Sequence, residues 1–215
     1  ARAVAMEVSS HGLDQGRVSG AKFDVALFTN LTRDHLDYHK TMAAYGAAKA
    51  KLFTWPGLRA AVINADDPFG RSLIEAGRAR GQRLLSYGLG TADIAGTAVA
   101  MDRAGIVLDV ATPWGRTTLA SPLVGTFNAY NLLGVLGVLL ASDVPLADAV
   151  TALAKLEAPA GRMQRFGGER APLVVVDYAH TPDALEKVLS SLRGAVALGS
   201  ELVCVFGCGG DRDPG

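Results

Sequence analysis

Short, largely apolar runs that each stop at a polar loop constrain this chain most. Residues 4–8, 23–29, 60–64, 84–87 and 173–177 all have this form. Strands buried on both faces of a parallel sheet read this way, whereas half-solvated strands alternate. In such sheets ligands gather beyond the carboxyl ends of the strands. The loops after these runs are therefore where chemistry is expected. Within the first run Glu7 stands out, because a carboxylate in a buried strand needs a partner or a metal. The plainer reading is a glutamate at the strand's exposed end.

The run at 23–29 ends in Thr29-Asn-Leu-Thr-Arg-Asp34-His35-Leu-Asp37-Tyr-His39, which sets carboxylates and imidazoles in one loop. A helix over residues 41–53 follows. Met42, Tyr45, Lys49 and Leu52 recur at i, i+3, i+7 and i+10, one helical face. Lys49 thus lies inside an apolar stripe. Lys51 is turned away by about 200° and should be solvated. A buried lysine is costly unless neutralised or paired. Either Lys49 reaches the rim and pairs with Asp34 or Asp37, or its amine is uncharged and chemically modified.

The remaining segments extend the pattern. Pro68 suits the first turn of a helix to about residue 80. Residues 92–122 alternate and are cut by Gly, Asp and Pro, as in antiparallel ribbons. Helices are expected over 125–142 and 145–156. A linker at 158–161 leads to a strand at 173–177, a helix from Pro182 to about 193 and a parallel strand at 202–206. The fold class is α/β: a mostly parallel sheet flanked by helices with an attached antiparallel β subdomain over residues 1–157, then the start of a Rossmann-like domain over 158–215. Both ends look cut, so a fragment of a longer protein is expected.

Bulk properties exclude several classes. Lys and Arg total 21 and so do Asp and Glu, so a nucleic-acid partner is not expected. The longest apolar stretch, 132–141, is too short to span a bilayer and contains glycines, so no membrane insertion is expected. Cys204 and Cys208 make no disulfide framework, and their spacing is wrong for zinc. The loop at 207–211 misses the Gly-x-Gly-x-x-Gly pattern, and no Walker P-loop is present.

Taken together, ordered motifs resemble the Mur ligase family. They are Met6-Glu-Val-Ser-Ser-His-Gly-Leu13, Phe28-Thr-Asn-Leu-Thr-Arg-Asp-His-Leu-Asp37, Tyr45-Gly-Ala-Ala-Lys49, Asn64-Ala-Asp-Asp67, Phe127-Asn-Ala-Tyr-Asn131, Gly161-Arg162 and Asp177-Tyr-Ala-His-Thr-Pro-Asp183. The resemblance covers nearly the whole chain. It implies the family's central ATPase domain after its P-loop, then the start of its C-terminal domain. It also implies an ATP-dependent amide ligase of peptidoglycan precursor synthesis, bacterial and cytoplasmic, monomeric at full length and inactive as this piece alone. Its substrates would be UDP-N-acetylmuramoyl-L-alanyl-D-glutamate, ATP and a diamino acid.

By the same resemblance Glu7, His35 and Lys49 are metal ligands, with Mg²⁺ the usual ion. Lys49 carries CO₂ as a carbamate and is catalytic with His35. Ser9, Gln15 and Arg17 contact the muramyl-peptide substrate, with solvated-loop roles the plainer reading for the last two. Asn128 and Asn131 read adenine, or Asn128 caps its helix. Arg162, Asp177 and His180 reach the nucleotide across a hinge, or Asp177 caps the helix after its strand. A folylpolyglutamate synthetase-like ligase and a non-catalytic nucleotide-binding module are the alternatives; a metal site without a tuned lysine would favour the latter.

Overall fold

The computed structural model describes residues 3–102, 105–168, 171–196 and 199–207. After residues 3–9, the elements are α1 (Ser10–Asp14), β1 (Val25–Phe28), α2 (Leu36–His39), α3 (Met42–Ala50), a 3-10 turn (Lys51–Thr54), β2 (Ala60–Asn64) and α4 (Pro68–Ala79). Then come β3 (Leu84–Gly88), β4 (Ile94–Asp102), β5 (Gly105–Thr112), β6 (Gly115–Ser121), α5 (Thr126–Ala141) and α6 (Leu146–Leu153). The last are β7 (Gln164–Phe166), β8 (Val174–Val176) and α7 (Pro182–Ala195).

Strands β1 to β6 form one six-stranded sheet in sequence order. The β1–β2, β2–β3 and β3–β4 pairs are parallel, and β4–β5–β6 is antiparallel. The β4–β5–β6 ribbon is the expected antiparallel subdomain, joined edge-on to the parallel sheet. Every residue of β2 is buried. Successive side chains point to opposite faces, so Ala60 and Val62 join the cluster of α5 and α6 while Ala61 and Ile63 join that of α4 and the 3-10 turn.

Helix α5 is apolar on most sides, as a helix between a sheet and a second helix must be. Gly137 lets it lie against the sheet: a Cβ there would sit 2.7 Å from Val62 Cγ1. At α4, Asp67 accepts hydrogen bonds from the Phe69 and Gly70 amides. Asp67 also accepts from Leu31 N at 3.0 Å, which ties the loop after β1 to the start of α4.

Two expectations are corrected. Residues 4–8 form no strand and are largely exposed, Val4 at 82%. Among the described residues no strand lies beside them to satisfy their backbone. Glu7 is exposed too, so burial does not demand a partner for it. Residues 202–206 likewise pair with no strand among the described residues, with Val205 at 94% exposure. The second unit opens on the antiparallel pair β7–β8 followed by α7. The loop at 207–211 lies outside the described residues beyond Gly207, as does Cys208.

Candidate functional site

The loop after β1 is shaped by backbone bonds. His35 takes a left-handed conformation at φ 55°, ahead of α2. Non-glycine residues pay for that geometry, and such strain collects at functional positions. Asp34 Oδ1 accepts from His35 N at 2.8 Å, and its Oδ2 lies 3.6 Å from His35 Nε2. Thr41 caps α3 by accepting from Ala44 N, which fixes the phase that carries Lys49.

Lys49 is half-buried, and its Nζ sits 5.1 Å from the Tyr45 ring centroid. Burial holds its pKa below the ordinary lysine value, while the Glu7 and Asp34 carboxylates pull it back up. The carboxylates whose charge acts on this amine are Glu7 and Asp34. Lys51 is exposed, as the helical phase requires, and pairs with Asp14 at 2.6 Å.

The lowered pKa has a stability consequence. Below the lowered value Lys49 is charged in both states and the folded chain bears the whole penalty. As pH rises through that value towards about 10.4, the folded state gives up its proton first, so stability contributed by this group rises. Denaturant titrations in the alkaline range should show that rise in the wild type and a flatter dependence in Lys49→Met. Identical slopes would contradict the buried-amine geometry.

Around His35 the rings of His11, Tyr38, His39 and Tyr45 pack together. His11 lies 4.9 Å from His35 and 5.3 Å from His39, centroid to centroid. His35 meets Tyr45 edge-on at 5.7 Å. Burial lowers the His39 pKa, His11 and His35 lower it further, and Asp14 and Asp37 oppose them. The fold thus gathers His11, His35 and His39, well separated in sequence, into one cluster of edge-on and tilted rings. Among the described residues no group of three or more His, Cys, Asp and Glu side chains is placed to hold a metal.

Ser9, Gln15 and Arg17 belong to the segment around α1. Ser9 Oγ accepts from Gly12 N at 3.0 Å and caps the helix, and Gln15 ends it. Gln15 and Arg17 are exposed.

A groove of about 620 Å³ opens at the carboxyl ends of β1 and β2, between α5 and α7. Thr29, Asn30, Asn64, Tyr130, Asn131 and Glu186 are among its lining. Asn64 Nδ2 donates to Thr29 O at 2.8 Å, and Tyr87 Oη donates to Phe28 O at 3.1 Å. Burial raises the Tyr130 pKa, helped by the charge of Asp66 and a hydrogen bond to it. Asn131 faces this groove. Asn128 instead donates to Val124 O at 2.8 Å and accepts from Asn131 Nδ2 at 3.1 Å. Gly125, not Asn128, is the cap of α5. The groove could have been anticipated from the strand-end rule applied to Thr29 and Asn64; the contribution of α7 had no signal in the sequence.

Arg162, Asp177 and His180 gather at the start of the second unit. Asp177 accepts from Met163 N at 2.9 Å and Ala179 N at 2.8 Å. The helix cap after β8 is Thr181, not Asp177. The Arg162 guanidinium lies 5.3 Å from the Tyr178 ring, and His180 Nδ1 lies 3.0 Å from Tyr178 O. Arg162 and His180 are exposed.

Residues 1–139 match the Mur ligase middle domain, and residues 161–215 match the Mur ligase glutamate ligase domain. The chain belongs to the Mur ligase family. It is 58% identical over its whole length to a UDP-N-acetylmuramoyl-L-alanyl-D-glutamate--2,6-diaminopimelate ligase of Ralstonia nicotianae, of which it spans 44%. A solved structure of a ligase of the same description superposes with a TM-score of 0.78 at 41% identity, over 96% of this chain and 42% of that one. A folylpolyglutamate synthase from Mycobacterium tuberculosis aligns with a TM-score of 0.63 at 26% identity, over 79% of this chain and 39% of that one. As a Mur ligase piece, the chain spans under half the length of these relatives. No helix among its described residues is long and apolar enough to cross a membrane.

Proposed function

We propose that this chain is part of a cytoplasmic ATP-dependent ligase that joins 2,6-diaminopimelate to UDP-N-acetylmuramoyl-L-alanyl-D-glutamate. Residues 1–157 would belong to the central domain and 158–215 to the C-terminal domain. The observation that carries the reading is the half-buried Lys49 amine, held on α3 over the Tyr45 ring and acted on by the Glu7 and Asp34 charges. Identity of 58% over this chain, which spans 44% of a ligase of that description, supports the choice of substrates.

The donor set fits a hard divalent cation on one condition. Glu7 and His35 supply an oxygen and a nitrogen, but an ammonium at Lys49 would repel the ion. A desolvated lysine has an accessible neutral amine. Its Nζ can attack the carbon of CO₂, form an N–C bond and release one proton, leaving a carbamate. That anion is an oxygen donor suited to Mg²⁺. Glu7, His35 and the Lys49 carbamate would then hold the ion. When bound, Mg²⁺ reduces the repulsion between the substrate carboxylate and the ATP γ-phosphate.

The reaction has two steps. The substrate carboxylate oxygen attacks the γ-phosphorus, and the bond to the ADP oxygen breaks, giving an acyl phosphate and ADP. The diamino acid's amine then attacks the acyl carbon, phosphate leaves, and the amine loses a proton as the amide forms. Ser9, Gln15 and Arg17 would hold the muramyl peptide, with Arg17 suited to an anionic group. Asn131 would meet the base in the groove, with Asn128 bracing its amide. Arg162, Asp177 and His180 would approach the nucleotide by closure about residues 158–161.

The experiment is a ligation assay on the full-length protein with ATP, the muramyl dipeptide and diaminopimelate, followed by mass spectrometry. The expected product is the muramyl tripeptide, with ADP in equal amount. Glutamate addition to folate without tripeptide formation would establish the folylpolyglutamate alternative. ATP binding with no ligation of either substrate pair would establish a non-catalytic module.

A further inference from the structure

One buried ring joins the two segments that carry Glu7 and Lys49. His39 is 8% exposed, at the end of α2. Its Nε2 shares a 2.9 Å hydrogen bond with Ser10 Oγ, and Ser10 is itself 2% exposed. Its ring stacks on Tyr45 at 5.4 Å and 22°. The Tyr45 ring in turn lies beneath Lys49 Nζ. A single side chain thus touches α1 through Ser10 and α3 through Tyr45.

The connection matters because the Glu7 segment runs directly into α1, which packs against α3 through buried Leu13 and Gly12, and the His39 bond adds a directional polar link to that packing. Residues 3–9 have no strand partner among the described residues, and Ser10 follows them directly. A second clasp exists, since Asp14 accepts from Tyr38 Oη at 3.0 Å and Lys51 Nζ at 2.6 Å. Those bonds are solvent-exposed, and solvent screening makes such pairs weak. The Ser10–His39 bond is buried, so breaking it strands a desolvated polar atom.

We propose that His39 is a positioning residue. Through the Ser10 hydroxyl and the Tyr45 ring it fixes the segment that carries Glu7 against the helix that carries Lys49, so that both can serve one divalent cation. Groups that orient metal ligands in this way affect metal affinity without touching the ion. The inference rests on the roles given above to Glu7 and Lys49.

The test uses the full-length protein with Ser10→Ala, His39→Gln and the double variant. Mn²⁺ serves as the probe ion, its affinity read by electron paramagnetic resonance. The Lys49 carbamate is read by ¹³C NMR under labelled CO₂, folding by thermal melts, and turnover by steady-state kinetics. Each single variant is expected to melt cooperatively. Mn²⁺ affinity should fall about tenfold, kcat should fall with it, and KM for the diamino acid should stay unchanged. The double variant should lose no more than the worse single one, because both changes break one link. Unchanged Mn²⁺ affinity in whichever single variant folds would overturn the proposal, as would losses that add in the double variant. A carbamate in the wild type with unaltered variants sinks this inference alone. A wild type with no carbamate sinks the Lys49 reading and this inference together.

Discussion

Lys49→Ala in the full-length protein is expected to lower ligation turnover by about a hundred- to a thousandfold, the scale seen when a preorganised charge-stabilising group is deleted. The fold should survive. The substitution removes a half-buried cation whose burial was unfavourable, and it forfeits a Tyr45 contact worth only about 0.5–1 kcal/mol. Circular dichroism and a melt within a few degrees of the wild type would separate lost chemistry from lost structure. Lys51→Ala is the matched control. It lies on the solvated side of the same helical stretch and loses only an exposed pair with Asp14, so its turnover should stay near wild type. Equal loss in both variants would mean that the helical phase does not select the functional lysine.

Gly70→Ala should produce the largest loss of stability from the smallest change in volume. An added Cβ on α4 would overlap the backbone oxygen of Asn64, with Phe28 Cε1 only 3.2 Å away. Alanine ordinarily gains up to about 1 kcal/mol over glycine inside a helix. Here a backbone clash opposes that gain, and overpacking of this kind costs about 3 kcal/mol. The melting temperature should drop by about 10 °C for a protein of this size. The displaced atom belongs to Asn64 at the groove, so nucleotide affinity measured by calorimetry should fall as well. Gly194→Ala is the control: a Cβ there meets nothing within 4 Å, and no loss is expected.

Much of the parallel sheet was legible because burial on both faces leaves continuous apolar runs, as in β2 and β3. Helix α4 announced itself through Asp67 and Pro68, a cap followed by a first-turn proline. The ribbon of β4 to β6 was legible from alternation broken by glycine. The failures have one cause in common. Residues 4–8 and 202–206 carry strand-like composition, but a strand also needs a neighbour, and composition does not report one. The reverse happened at β7, where Gln164-Arg-Phe166 has no apolar run and is made a strand by pairing with β8. Short α1 and α2 were hidden because four or five residues are too few to show a period.

The site divides along the same line. The position of Lys49 came from local phase, which a single helix encodes. Its acidic neighbours come from elsewhere in the chain. The bond between Ser10 and His39 spans 29 residues, a tertiary fact with no local signature. Asn128 shows the limit from the other side. Its residue type suits an adenine edge, yet its amide is engaged with Val124 and Asn131 in its own helix and loop.

The most direct measurement is ¹³C NMR of the full-length protein under labelled CO₂, before and after Lys49→Ala. The expected result is one carbamate resonance in the Mg²⁺-loaded wild type that disappears in the variant while the fold is retained. A spectrum with no carbamate in an active wild-type enzyme, or one unchanged by the substitution, would contradict the assignment of Lys49 as the anionic third ligand.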